Sequence, residues 1–102
     1  MKSLLIVLLF IITGCTAIRL TQPAEKDLEV MQQKVPSITY QEVVAGYNIY
    51  RTKCNGCHGL YKPAKYTPQQ WERLLPEMMT RAKIYDESQK KLLMNFLFAN
   101  SR

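Results

Sequence analysis

The chain has 102 residues, with 14 Lys or Arg against 8 Asp or Glu and a single His, for a formal net charge of +6 at pH 7. A chain of this length makes one small domain, and its cations form no dense run, so no nucleic-acid partner is expected. Its three cysteines leave no disulfide framework, because each has another use along the chain.

The N-terminus reads as a targeting segment. Met1-Lys2-Ser3 is a short positive stretch, and Leu4 to Ile12 is an uncharged apolar run. That run is too short to cross a bilayer as a helix of about 20 residues. Small residues then precede a cysteine in Ile12-Thr13-Gly14-Cys15. This pattern resembles the lipobox of bacterial lipoproteins, with Ile12 in place of the usual leucine. The resemblance implies that residues 1–14 are a signal peptide removed before Cys15, and that Cys15 carries a diacylglycerol thioether and an acylated amino group. Two or more acyl chains hold a protein stably on a membrane. The expected location is the periplasmic side of a bacterial membrane, inner or outer. Loss of Lys2 with the signal leaves a charge of +5.

Residues 15–38 read as a lipid-anchored tether. The stretch is polar, contains Pro23 and Pro36, and mixes Glu25, Lys26, Asp27 and Glu29. As a flexible chain it would span about 25–30 Å. A short helix around Ala24 to Gln33 would put Leu28, Met31 and Val35 on one side.

From Thr39 onward three helix starts carry capping-box patterns. They are Thr39-x-x-Glu42, Thr67-x-x-Gln70 with Pro68 at the first helical position, and Asp86-x-x-Gln89. The first predicted helix runs from Tyr40 to Cys54, with Val43, Gly46, Tyr47, Tyr50 and Cys54 on one face. The second starts at Pro68 and places Trp71, Leu74, Leu75, Met78 and Ala82 inward. Pro76 should kink or restart it. The third covers Glu87 to Ala99, with Leu92, Leu93, Phe96 and Leu97 inward and Met94 and Phe98 partly exposed. No segment alternates with a two-residue period, so residues 39–102 are expected to form an all-α domain.

Between the first two helices lies Cys54-Asn55-Gly56-Cys57-His58, the C-x-x-C-H signature of covalent haem c attachment. Two thiols at this spacing reach the two vinyl groups of one haem edge, and the adjacent histidine offers a ring nitrogen to iron. A dithiol enzyme would want a βαβ context, and a zinc site would want a fourth Cys or His ligand. The motif takes the only histidine and two of the three cysteines. One covalent haem c per chain is expected. It would also supply the apolar staple that so small a domain needs.

With these residues in view, the chain resembles the small monohaem class I-like cytochromes c. The resemblance rests on Gly46-x-x-x-Tyr50-x-x-x-Cys54-x-x-Cys57-His58 and Leu93-x-x-Phe96-Leu97, and spans roughly residues 39–97. It implies a helical fold around one haem, with Gly46 at a close crossing of the first and last helices against Phe96. A tryptophan followed seven residues later by a methionine, Trp71 and Met78, is similar to the pattern of small bacterial members. The resemblance implies that Cys54 and Cys57 hold the haem and that His58 and Met78 bind iron. Met79 is the other candidate for the sixth position, since Pro76 leaves the helical phase open. Pro63 is the carbonyl that analogy offers for orienting His58. Trp71 is expected to pack on the haem with its indole N–H on a propionate or carbonyl, and Tyr61 and Tyr66 either line the porphyrin edge or anchor the loop.

The implied function is that of a membrane-anchored, single-haem electron carrier rather than an enzyme, with acidic or membrane-embedded redox proteins as partners. The alternatives are a haem-based small-ligand sensor and a fixed haem subunit of a larger oxidoreductase. Lys53, Lys62, Lys65, Arg81 and Lys83 are either a docking ring or ordinary solvated charges.

Overall fold

A computed structural model describes residues 20–54 and 60–102. The predicted signal peptide, Cys15, Cys57 and His58 lie outside the described residues. The fold is all-α: α1 (Leu28–Lys34), α2 (Tyr40–Lys53), α3 (Pro68–Arg81) and α4 (Glu87–Ala99), with 3-10 turns at Glu25–Asp27 and Pro63–Lys65. Among the described residues no strand is present, and no helix is long and apolar enough to cross a membrane.

Local chemistry sets the helix starts. The Glu42 N–H donates to Thr39 Oγ1 at 3.2 Å, and the Thr39 N–H donates to Glu42 Oε1 at 3.1 Å. Thr67 and Gln70 repeat the exchange at 3.3 and 2.9 Å. Asp86 shows the forward half, accepting from the Gln89 N–H at 3.0 Å, while Ser88 Oγ donates to the same carboxylate oxygen. Each of the bonds from a main-chain N–H satisfies a backbone donor that a helix start leaves without a partner.

The core is built on the crossing of α2 and α4. Gly46 is buried there, and a Cβ on it would run into the Leu92 carbonyl oxygen and the Phe96 Cβ. The helices therefore meet backbone to backbone at this point, which only a glycine allows. The Phe96 ring then reaches Tyr47 edge-on at 6.0 Å and Tyr50 at 6.1 Å. Val43, Leu93 and Leu97 fill the surrounding space with no exposed surface.

Two expectations for α3 change. The helix runs unbroken through Pro76. The proline is exposed, so the carbonyl it leaves without a partner, on Glu72 one turn earlier, is within reach of water. The inward stripe is Trp71, Leu75 and Met79, spaced by four, while Leu74 is 38 % exposed and Met78 half-buried. The end of α3 accounts for this rotation. The Ile84 N–H donates to the Met79 carbonyl at 2.9 Å and the Lys83 N–H to the Thr80 carbonyl at 3.1 Å. This is a Schellman closure, with Lys83 left-handed at φ 58°. It folds Ile84 into the core beside Met79, and both are buried.

Packing begins ahead of Thr39. Met31 of α1 and Ile38 are buried in the main core. Lys34 Nζ donates to the Ser101 carbonyl, and Asn100 Nδ2 lies 3.5 Å from Met31 Sδ. Tyr40 Oη donates to the Pro23 carbonyl at 3.2 Å. Much of the stretch read as tether is thus a strap laid along the end of α4. Its three apolar positions, Leu28, Met31 and Val35, outweigh its polar composition.

Candidate haem-attachment site

Cys54 caps the C-terminus of α2, its N–H donating to the Tyr50 carbonyl at 3.2 Å. Its thiol is half-buried, and that burial pushes its pKa above the ordinary thiol value. Cys57 and His58 follow within three and four residues, outside the described part. The chain is next described at Leu60, and Tyr61 lies at once against α2. Tyr50 Oη donates to the Tyr61 carbonyl at 2.6 Å. That bond ties the residues flanking the motif, Tyr50 before it and Tyr61 after it, to each other. Burial, the largest cause, holds the Tyr50 phenol far above its ordinary pKa, and the nearby Cys54 and tyrosine groups act in the same direction. It remains a donor throughout the neutral range.

The returning loop is anchored by aromatic contacts. Tyr61 meets Tyr66 edge-on at 5.8 Å, Tyr66 meets Trp71 at 5.1 Å, and Trp71 meets Tyr50 at 6.2 Å. Trp71 is fully buried, and its Nε1–H donates to the Pro63 carbonyl at 2.8 Å. Of the two partners expected for that indole, it takes the carbonyl. The same Pro63 oxygen is the one offered by analogy to His58, and Trp71 occupies one of its two lone pairs. The Arg102 N–H donates to the Tyr66 carbonyl at 2.9 Å, tying the loop to the segment after α4. Lys65 Nζ sits 3.9 Å from the centre of the Tyr61 ring.

Around this frame the core is incompletely covered. Cys54, Leu60, Tyr61 and Tyr66 from the flanks of the motif, and Met78 from α3, are only partly buried against it, and Leu74 adds exposed apolar surface. The donor set suits a haem: a neutral, half-buried thiol at a helix end, apolar and aromatic side chains beside it, and a thioether on a half-covered helix face. Met79 is 7 % exposed within the core, and Met31 is buried against the end of α4. Met94 is half-buried on α4. Among the described residues no cluster of three or more His, Cys, Asp and Glu side chains is present.

Of the cations singled out in the sequence, Lys53, Lys62, Lys65 and Lys83 are exposed, and Arg81 is exposed and paired with Glu77 at 2.7 Å. The Tyr50–Tyr61 bond is the functional feature that sequence reasoning missed. Its only trace is a tyrosine one turn before the first cysteine on a buried face.

The chain matches no family model, no curated protein and no solved structure.

Proposed function

We propose that this chain is a lipid-anchored, single-haem electron-transfer protein working on the periplasmic side of a bacterial membrane. Cys54 and Cys57 would hold haem c through thioethers, His58 and Met78 would bind its iron, and Cys15 would carry the lipid. The observation that carries the reading is the placement of Cys54. It ends a helix that crosses the last helix at a glycine, and the residues on either side of the motif are joined by the Tyr50–Tyr61 bond.

Bound haem would supply one-electron chemistry between ferrous and ferric iron. The chain's own part is to hold that group still. Tyr50 fixes the two ends of the attachment loop. Trp71 fixes the Pro63 turn through its indole N–H. The apolar rim of Leu60, Tyr61, Tyr66 and Leu74 excludes water from a face laid against it. An iron bound by both His58 and Met78 would rearrange little between redox states, which would favour transfer without bonds to substrate. That rigidity supports a carrier over a small-ligand sensor.

The test is haem retention. Acid–acetone should leave haem on the purified protein, and Cys54→Ala or Cys57→Ala should reduce attachment to one thioether or none. Haem extracted from the unmutated protein would refute the covalent reading. Met78→Ala should erase the weak red-edge absorption band of ferric iron–thioether bonding and open the iron to carbon monoxide. Met79→Ala should leave that band intact and cost about 2–5 kcal/mol of stability as a core truncation. Loss of the band in Met79→Ala alone would move the ligand role to that residue. Fast, tight carbon monoxide binding by the unmutated protein would favour the sensor.

A further inference from the structure

The strap formed by residues 23–38 controls where the lipid anchor leaves the fold, and this decides which end of the molecule meets its partner. Pro23 is held at the start of α2 by the Tyr40 hydroxyl. Side chains on a helix tilt toward its N-terminus, so Pro23 lies at or beyond that end. Cys54 lies at the opposite end, 14 helical residues away, or about 21 Å. Only Thr16 to Gln22 separate Cys15 from Pro23. Whatever their conformation, the eight steps from Cys15 to Pro23 reach at most about 29 Å.

Charge follows the same axis. The exit end carries Glu25, Asp27, Glu29 and Glu42 against Lys26. Between Glu42 and Glu72 the chain has no carboxylate. Its cations there, Arg51, Lys53, Lys62 and Lys65, are all exposed. Lys62 adjoins the carbonyl that Tyr50 holds, and Lys65 lies over Tyr61, so the four gather at the cysteine end. Anionic lipid would attract them, but only within a Debye length of about 8–10 Å. Turning this end face-down would lift Pro23 by the length of α2 and stretch the seven-residue leash over most of its reach.

We infer that the basic, cysteine-bearing end of the domain is presented away from the lipid, to a protein partner with an acidic face arriving from the aqueous side. This rests on the lipid anchor at Cys15 proposed above. The positive rim fits carboxylates on such a partner and would speed encounter in a salt-dependent way.

The experiment uses the full haem-loaded chain on vesicles of phosphatidylethanolamine and phosphatidylglycerol containing a headgroup nitroxide. A fluorophore is placed through Glu25→Cys or Thr52→Cys, both exposed positions. Quenching should be several-fold stronger at position 25. A Gly-Ser insertion between Leu20 and Thr21 should raise quenching at position 52. Equal or stronger quenching at 52 in the uninserted chain, or no response to the insertion, overturns the orientation. Labelled palmitate entering the protein, but not Cys15→Ser, establishes the anchor. Without that label the anchor and the orientation fall together, whereas palmitate with equal quenching sinks the orientation alone. In a second arm, Lys62→Glu with Lys65→Glu should weaken binding to immobilised polyglutamate several-fold more than Lys90→Glu with Lys91→Glu. Equal loss from the two pairs overturns the acidic-partner assignment.

Discussion

The α2–α4 crossing and the α3 side of the molecule are built to different standards of closure. At the crossing, Gly46 brings two backbones into contact, and Val43, Tyr47, Leu93, Phe96 and Leu97 around it are buried. Along α3 one stripe is buried, while the next, Leu74 and Met78, is left half-covered, and the helix ends on a lysine in a conformation that favours glycine. The polypeptide completes the first region by itself. The second has apolar surface to spare, as expected of a face that a flat apolar group would cover. Comparing the two shows where the chain's packing is complete and where apolar surface stays partly uncovered.

The sharpest break in that comparison is Trp71→Ala. Trp71 joins both regions through Tyr50 and the Pro63 carbonyl. Its truncation should cost about 3–5 kcal/mol, measured by urea denaturation of the purified protein. Trp71→Phe should recover most of this and leave a deficit of about 1 kcal/mol for the lost hydrogen bond. Gly46→Ala attacks the crossing alone. The methyl gains about 1 kcal/mol in helix propensity but forces the helices apart at an overpacking cost of about 3 kcal/mol. A net loss near 2 kcal/mol by the same measurement is expected, and an unchanged midpoint would deny the close approach.

Tyr50 sharpens the comparison through pH. Its folded-state pKa lies above the ordinary value of 10.0, so the unfolded chain loses this proton first. The stability tied to Tyr50 is complete below pH 10 and declines as pH rises beyond it. Denaturation midpoints should fall above that pH, and Tyr50→Phe should flatten the fall. The smallest effect is a gain. Lys83→Gly relieves a left-handed residue in the Schellman closure and should stabilise by about 1 kcal/mol, seen as a modest rise in Tm.

The starts of α2, α3 and α4 were legible because caps are local. Thr39 with Glu42, Thr67 with Gln70, and Asp86 before Gln89 each announce a helix within four residues. The rotation of α3 was not legible. A stripe of Trp71, Leu74, Leu75 and Met78 differs from one of Trp71, Leu75 and Met79 by a small turn about the axis. That turn is decided by the Schellman closure, which a lysine at position 83 conceals. The strap was half legible. Leu28, Met31 and Val35 marked a helix face, but polar neighbours hid that it had somewhere to dock. Of the candidate site, the helix leading into Cys54 and the glycine at the crossing could be read from spacing. The Tyr50–Tyr61 bond could not, because its acceptor is a main-chain carbonyl and leaves no mark on side-chain identity.

That bond has a consequence for the order of assembly. Tyr50 and Tyr61 are 11 positions apart, whereas Gly46 must find Leu92 and Phe96, 46 and 50 positions further along. Loop-closure entropy grows with the logarithm of length, so the shorter closure is cheaper by about 1.3 kcal/mol. A chain emerging N-terminus first can make the Tyr50–Tyr61 bond before the last helix has arrived, and the helix crossing that seals the core comes afterwards.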